Sequence, residues 1–140
     1  MQVLILGCGV LGSHLAESFA GGGHRITIMD PNPHRLDSLS QESRIELLLS
    51  SDSIMDDLRG LRLTNVDLFV AASEDDCRNA MAAQIARHIF HIPDVICLIS
   101  DPDRGRFYQD LGVNTVCPTS VTVDTIHDIL GNSSKGPGSR

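Results

Sequence analysis

The chain has 140 residues, of which 41% are hydrophobic and 21% charged; this composition suits one folded domain and excludes a mostly disordered chain. Its formal net charge of −7 argues against a nucleic-acid partner held through phosphate contacts. The four cysteines, at positions 8, 77, 97 and 117, have no CxxC spacing, so they indicate reduced thiols and not a zinc site.

The first motif in the chain is a glycine-rich turn between a predicted strand and a predicted helix. The apolar run at residues 3–6 predicts a buried parallel strand, and three glycines follow it in GxGxxG spacing. In such a turn the first glycine allows the sharp bend, the second lets a phosphate approach, and the third allows close packing of helix and strand. We therefore predict that a nucleotide phosphate binds at the helix N-terminus, against Gly7, Cys8, Gly9, Val10, Leu11 and Gly12.

An acidic residue stands at the end of the second predicted strand. That strand covers residues 25–29, and Asp30 follows it, eighteen positions after Gly12. Dinucleotide-binding units carry an acid near this distance, and its carboxylate accepts hydrogen bonds from the ribose hydroxyls. A carboxylate at this place repels a 2′-phosphate, which favours NAD or plain adenosine nucleotides over NADP.

The rest of the chain continues the alternation of strands and helices. Further strands are predicted at residues 45–49, 66–72, 95–99 and 114–117, each separated from the next by a helical stretch. This alternation predicts an α/β, Rossmann-like doubly wound sheet of six parallel strands in the order 3-2-1-4-5-6, with helices on both faces. Residues 1–130 then form one nucleotide-binding domain, and the Gly/Ser/Pro-rich residues 131–140 form a flexible tail or linker.

Apolar side chains at helical spacing are expected to face the core. In the first helix these are Leu11, Leu15 and Phe19, with Ala16 and Ala20 beside them, and in the fourth they are Met81, Ile85 and Ile89, with Ala82 and Ala86 allowing close packing; the last helix carries Val123, Ile126, Ile129 and Leu130. Thr119 or Ser120 is expected to cap the last helix.

Four loops should meet at the carboxyl ends of the strands, where the strand order reverses. Besides the glycine turn and Asp30, these are the polar residues 50–53 and the turn at residues 72–76. Arg35, one turn into the second helix, either reaches the adenine or a phosphate or is simply exposed. The predicted lining of the site therefore adds Arg35, Ser51, Asp52, Ala72, Ser73 and Glu74 to the glycine turn and Asp30.

No set of catalytic or metal-binding residues is apparent. Tyr108 has no lysine four residues later, so a Tyr/Lys proton-transfer pair is absent, and His88 and His91 have no evident third ligand. Cys8 is expected to contribute its backbone and not its thiol. We therefore predict no catalytic residue and no metal site.

Several motifs along the chain resemble those of the TrkA N-terminal domain family, also called RCK or KTN. They are residues 3–12, Asp30-Pro31-Asn32-Pro33, Ala71 to Asp76 with Asn79, Ser100-Asp101-Pro102 and Leu111-Gly112-Val113. The resemblance spans about residues 1–130. It implies a cytoplasmic regulatory domain of an integral-membrane potassium channel or transporter, peripheral at the inner face of the membrane through that partner. It also implies a homodimer or a higher ring-like homo-oligomer whose geometry changes when NAD(H), or AMP, ADP or ATP, binds.

The chain departs from that family at three places, which comprise four residues. Ser50-Ser51 stand where members usually have Gly-Asp, Val10 stands where ATP-binding members have an arginine, and Leu98 replaces another common arginine. These departures favour NAD(H), ADP or AMP over ATP. Two alternatives stay open: the cofactor domain of an NAD-dependent oxidoreductase, and a dimerisation module whose nucleotide site has decayed.

Overall fold

Strands and helices alternate throughout residues 1–61 and 63–134, which are the residues that the computed structural model describes. The strands are β1 (Gln2–Leu6), β2 (Arg25–Asp30), β3 (Ile45–Leu49), β4 (Leu68–Ala71), β5 (Asp94–Leu98) and β6 (Asn114–Val116). The helices are α1 (Val10–Gly21), α2 (Pro33–Asp37), α3 (Ile54–Arg59), α4 (Asp76–Gln84), α5 (Pro102–Asp110) and α6 (Pro118–Ser134). A π-helical turn, Ile85–Ile89, prolongs α4, and a short 3₁₀ helix covers Leu63–Asn65.

The six strands form one parallel sheet in the order β3-β2-β1-β4-β5-β6. The predicted doubly wound architecture is therefore confirmed. β1 lies between β2 and β4, with Leu6 opposite Met29 on one side and Ala71 on the other. Because the order reverses between β1 and β4, the loops that follow β1, β2 and β4 meet at one edge of the sheet.

Helices cover both faces of the sheet, and β1 contributes to both layers of the core. Leu4 and Leu6 pack in the cluster that contains Phe69, while Val3 and Ile5 pack in the cluster on the other face. None of these four β1 side chains is more than 2% exposed. A strand buried on both faces has to be apolar at every position, which explains the uninterrupted apolar run.

Small residues, and not the large apolar ones, form the buried face of α1. Gly12, Ala16 and Ala20 are buried. The prediction is wrong for Leu11, which is 43% exposed, and Leu15 and Phe19 are only half-buried. The helix lies so close to β1 that larger side chains can only occupy its flanks.

The same correction applies to α4. Met81 and Ile89 are each 51% exposed, so the predicted apolar face is wrong for both. The buried side chains of α4 and its π-helical turn are Asn79, Ala80, Ala82, Ala83 and Ala86. These side chains let the helix approach β4 and β5 closely.

The last helix, α6, starts earlier and ends later than expected. It begins at Pro118, so Thr119 and Ser120 lie inside it and do not cap it. Its apolar side chains are exposed in the single chain, with Val123 at 47% and Leu130 at 60%. α6 continues to Ser134, four residues into the segment predicted as a tail or linker, and residues 135–140 lie outside the described residues. No helix in the described part of the chain combines the length and apolar character needed to cross a membrane.

Candidate functional site

The glycine turn joins β1 to α1 in a geometry that only glycine allows at two of its positions. Gly7 has a φ of +103°, and a Cβ there would lie 2.7 Å from the backbone of Ser73. A Cβ at Gly12 would lie 1.8 Å from the carbonyl oxygen of Gly7. These two glycines therefore serve the close packing of the turn against α1 and the β4–α4 loop.

Gly9 differs from both of these glycines. Its φ is −79°, which any residue adopts, and the nearest atom to a Cβ there would be Glu74 Oε1 at 3.6 Å. Neither the backbone conformation nor the internal packing thus requires glycine at position 9. A requirement remains only if a ligand approaches this backbone, which is the role predicted for the second glycine of the motif.

The carboxylate of Asp30 organises the loops around it. It is 3% exposed, its Oδ2 accepts a hydrogen bond of 2.8 Å from Cys8 N, and its Oδ1 accepts one of 2.8 Å from Asn32 N. The glycine turn and the β2–α2 turn are thereby held to one side chain. Each carboxylate oxygen has a further lone pair, so Asp30 can still accept hydrogen bonds from a ribose diol.

Arg35 in α2 is the cation nearest to this group. Its Nη1 lies 3.9 Å from Asp30 Oδ2 and its Nη2 lies 3.4 Å from Glu74 Oε1. The structure therefore brings three predicted site residues from three different segments into one cluster. The Arg35 guanidinium lies in this cluster while its side chain is 42% exposed, and its contact with an adenine or a phosphate stays a prediction.

The β4–α4 loop forms the opposite wall of the site. Ala72 N donates to Leu6 O at 2.7 Å, and Ala72 is buried. Ser73 is held by Asn79, whose Oδ1 accepts hydrogen bonds from Ser73 N and from Ser73 Oγ. The hydroxyl of Ser73 is thus directed to the protein, and Glu74 is the side chain of this loop that reaches over the glycine turn.

The loop after β3 is linked to this cluster through Ser50. Ser50 N donates to Asp30 O at 3.1 Å, and the hydroxyl of Ser50 is buried without a hydrogen-bond partner within residues 1–61 and 63–134. Ser51 is occupied by α3, because its hydroxyl donates to Asp57 Oδ1 at 2.8 Å. Asp52 is exposed. Lining of an adenine by Ser51 and Asp52 therefore stays a prediction.

A shallow cavity of about 340 Å³ lies over the glycine turn. It is lined by Cys8, Gly9, Val10, Ser13, His34, Arg35, Ser38 and Glu74. Sequence reasoning missed Ser13, His34 and Ser38. The four-residue spacing of His34 and Ser38, which puts both on one face of a helix, is the signal that could have found them.

A larger cleft, of about 640 Å³, lies where β2 and β3 begin, and it includes Arg25, Arg44 and Glu46. It is lined by strand residues and by the short connections that precede those strands. Ligands of open α/β sheets bind instead at the carboxyl ends of the strands, where the glycine turn, Asp30 and the β4–α4 loop converge. The smaller cavity is therefore the candidate functional site.

The thiol of Cys8 faces the protein and not the cavity mouth. It is 4% exposed and donates to Arg35 O at 3.3 Å. Burial, followed by the nearby Asp30 carboxylate, raises the pKa of this thiol above its ordinary value. A thiol held in its protonated form is a poor nucleophile, which supports the prediction that Cys8 acts through its backbone.

Thiol alkylation tests this arrangement of the cysteines. Burial, with a smaller effect of Asp76, raises the pKa of Cys97 to about 12, so its thiolate fraction at pH 8 falls by roughly a thousandfold. We expect iodoacetamide at pH 8 to modify the exposed Cys77 at least about tenfold faster than Cys8 or Cys97. Peptide mass spectrometry measures the rates, and urea-unfolded protein is the control, in which all should react alike. Equal rates for Cys8 and Cys77 in the folded protein would contradict the burial of Cys8.

The cluster of Asp30, Arg35 and Glu74, together with the glycine turn, offers hydrogen-bond acceptors, backbone N–H groups and one guanidinium. Within the described residues, no group of three or more His, Cys, Asp and Glu side chains has the arrangement of a metal site. His88 and His91 lie near the end of the π-helical turn, beside Ile92 and away from the glycine turn. The arrangement suits the binding of a phosphate and a polyol.

One known protein matches most of this chain in sequence. The chain is 32% identical over 124 residues to the Trk system potassium uptake protein TrkA of Streptomyces coelicolor, a match that covers 89% of this chain and 56% of that protein. The chain thus spans only about half the length of this relative.

Solved structures share the fold at lower sequence identity. The Kef CTD of Shewanella denitrificans in its AMP-bound form has a TM-score of 0.76 at 20% identity, over 96% of this chain and 85% of that one. The GsuK channel bound to NAD has a TM-score of 0.68 at 21% identity, over 84% of this chain and 21% of that one. The family model of the TrkA-N domain matches residues 3–119, which include the glycine turn, Asp30 and Asn79. This chain therefore belongs to the TrkA-N domain family.

Proposed function

We propose that this chain is a regulatory domain that binds NAD(H) or another adenine nucleotide and thereby gates a membrane potassium transporter or channel. The observation that carries this proposal is that the Asp30 side chain is hydrogen-bonded to the glycine turn. One buried carboxylate bonds to Cys8 N and Asn32 N, so the group that would hold the ribose is joined to the backbone that would hold the phosphate.

The residues present fit such a nucleotide. A Cβ at Gly9 would fill the place at which a phosphate approaches the N-terminus of α1, and apart from residues 8–10 themselves no backbone atom lies within 4 Å of that place. We propose that, within the turn at residues 7–12, the backbone from Gly9 onward binds the phosphates, that Gly7 and Cys8 position the turn through the hydrogen bonds of their N–H groups to Met29 O and Asp30 Oδ2, and that Asp30 binds the ribose. Arg35, Ser51, Asp52, Ala72, Ser73 and Glu74 complete the proposed site.

Diester or short phosphates suit this turn better than a triphosphate does. Val10 is 80% exposed at the start of α1, where ATP-binding members of the family place an arginine. The turn therefore offers the dipole and N–H groups of a helix N-terminus but no cation of its own. The relatives support NAD and AMP as candidates, since one solved structure holds NAD and another holds AMP.

A regulatory role fits the site better than catalysis. The TrkA relative is a potassium uptake protein, and at the cavity over the glycine turn Asp30, Arg35 and Glu74 are engaged in hydrogen bonds and ion pairs with one another and with the loops. An oxidoreductase is the second candidate, because a Streptomyces aurantiacus imine reductase shares the fold with a TM-score of 0.54 at 18% identity. A substrate domain encoded with this chain would favour that alternative.

The proposed partners are a second copy of the chain, as a homodimer or within a ring-like homo-oligomer, and an integral-membrane potassium channel or transporter. The apolar side chains of α6, such as Val121, Ile126 and Ile129, are each more than half exposed in the single chain, which is consistent with burial against a partner. The place of action would be cytoplasmic, at the inner face of the membrane through that partner. A change in dimer geometry requires that the nucleotide bind one geometry better than the other.

Isothermal titration calorimetry with matched ligands tests the proposed site. NADH and NADPH differ only in the 2′-phosphate, which would lie beside the Asp30 carboxylate. We expect NADH to bind at least about tenfold more tightly than NADPH, a difference of about 1.4 kcal/mol. Equal affinities would contradict the role of Asp30, and the absence of heat with NADH, NAD, AMP, ADP and ATP would support a decayed site.

Small-angle scattering on the same samples tests regulation separately from binding. A bound nucleotide that acts as a switch should change the scattering profile of the oligomer. Identical profiles with and without saturating ligand would show binding without a conformational response.

A further inference from the structure

We propose that Glu74 limits the phosphate charge that the glycine turn accepts. It does so by holding Arg35 over Gly9 and by placing a second carboxylate beside the path of the phosphate. This inference rests on the proposed function, because it concerns the same nucleotide site. It assigns a specificity-determining role to a side chain that helix capping does not explain.

Glu74 differs from the two acidic residues that follow it. Asp75 caps α4 by accepting from Arg78 N at 3.1 Å, and Asp76 accepts from Ser100 N at 2.8 Å. Both therefore have structural roles. The hydrogen-bond partner of Glu74 is the guanidinium of Arg35, 39 positions earlier in the chain, and within the described residues it accepts from no backbone N–H.

The Arg35–Glu74 ion pair lies over the second glycine of the turn. A Cβ built on Gly9 would lie 3.6 Å from Glu74 Oε1 and 3.9 Å from Arg35 Nη1, the nearest atoms outside residues 8–10. At Gly7 and Gly12 the corresponding near atoms belong mainly to the backbone. A phosphate that contacts Gly9 therefore meets this ion pair first.

The charges around Gly9 make nucleotide binding less favourable as the negative charge of the ligand increases. Arg35 is one cation between two carboxylates, since its Nη1 also lies 3.9 Å from Asp30 Oδ2. A phosphate must take Arg35 from Glu74 and then remain close to the Glu74 carboxylate. The repulsion between them increases with each negative charge on the phosphate chain, so it is smallest for AMP and largest for ATP.

Replacing Glu74 by glutamine removes this repulsion and keeps the size of the side chain. The Glu74 side chain is 77% exposed, so the variant is expected to fold normally. We expect E74Q to bind AMP about threefold and ATP at least about tenfold more tightly than the unchanged protein, with ADP between them. Titrations in about 50 mM and 500 mM salt should show that salt reduces the gain.

A matched control is Glu46→Gln, which removes the same charge from an exposed side chain on β3. Glu46 lines the cleft where β2 and β3 begin and not the cavity over the glycine turn. E46Q should change each affinity by less than about twofold. A second comparison uses Arg35→Ala, which removes the cation for which the phosphate competes. In the Arg35→Ala protein, E74Q should increase the nucleotide affinity only by the part that comes from removing the direct repulsion between Glu74 and the phosphate.

The outcomes separate this inference from the proposed function. A gain that is equal for AMP, ADP and ATP, or weaker binding by E74Q, would overturn the role of Glu74 and leave the nucleotide site in place. If neither the unchanged protein nor E74Q bound AMP, ADP or ATP, the role of Glu74 would fall, and the proposed function would fall with it only if NADH and NAD did not bind either. A gain that rises from AMP to ATP and is absent in E46Q is the result that supports the inference.

Discussion

Replacing Gly12 by alanine is expected to lower the free energy of unfolding by about 3 kcal/mol or more and the melting temperature by roughly 10 °C. The added Cβ would lie 1.8 Å from the carbonyl oxygen of Gly7 and 2.9 Å from its carbon. These are backbone atoms, so no side chain can rotate away, and α1 has to move off β1. Urea and thermal denaturation followed by circular dichroism measure the loss.

Gly21→Ala is the matched control, because it makes the same substitution at the other end of α1. Nothing lies within 4 Å of a Cβ at Gly21. Alanine is a better helix former than glycine, so this variant should be neutral or more stable by up to about 1 kcal/mol. Equal destabilisation by both substitutions would contradict the close contact at Gly12.

Asn79 is the site of the second large effect. Its side chain is 1% exposed, its Oδ1 accepts from Ser73 N and Ser73 Oγ, and its Nδ2 donates to Ser73 O and Leu98 O. Asn79→Ala leaves Ser73 N and Leu98 O without these partners, at about 1–3 kcal/mol for each buried group. We expect a total loss of about 3 kcal/mol in the free energy of unfolding.

The same variant tests how the β4–α4 loop is positioned. Asn79 ties this loop to the end of β5, so its loss should also weaken nucleotide binding even at temperatures at which the protein stays folded. Calorimetry at 10 °C measures this effect. Met81→Ala is the control on the same helix, because Met81 is 51% exposed and should change stability by less than about 1 kcal/mol. Unchanged stability in the Asn79 variant would contradict the hydrogen bonds described here.

Much of the fold could be predicted from local patterns. Continuous apolar runs such as residues 3–6 indicate strands buried on both faces, and an Asn-Pro or Asp-Pro pair is typical of a helix start, as at Asn32 and Asp101, which cap α2 and α5. The predicted strand ends are within two residues of those observed. Parallel strands joined by right-handed helical connections leave few orders, which is why the order of the sheet could be predicted as well.

The faces of the helices could not be predicted in the same way. Spacing put Leu11 and Met81 on the apolar faces, yet both are exposed, and the buried positions are Gly12, Asn79 and the alanines that lie beside those faces. The distance between a helix and the sheet decides whether large or small side chains fit between them, and that distance is a property of the whole packing. The exposure of the apolar side chains of α6 is also decided by the packing, because helical spacing does not say what covers an apolar face.

Sequence alone determined the positions of the glycine turn and Asp30, because their roles depend on backbone geometry and on short separations along the chain. Only the tertiary structure decided how the remaining polar residues are used. Arg35 and Glu74 are 39 positions apart and meet over Gly9, Ser51 turns to Asp57, and Ser73 turns to Asn79. Hydrogen bonds and ion pairs act over a few ångströms, so their partners are set by which loops the sheet brings to one edge, and a residue's position in the chain does not reveal them.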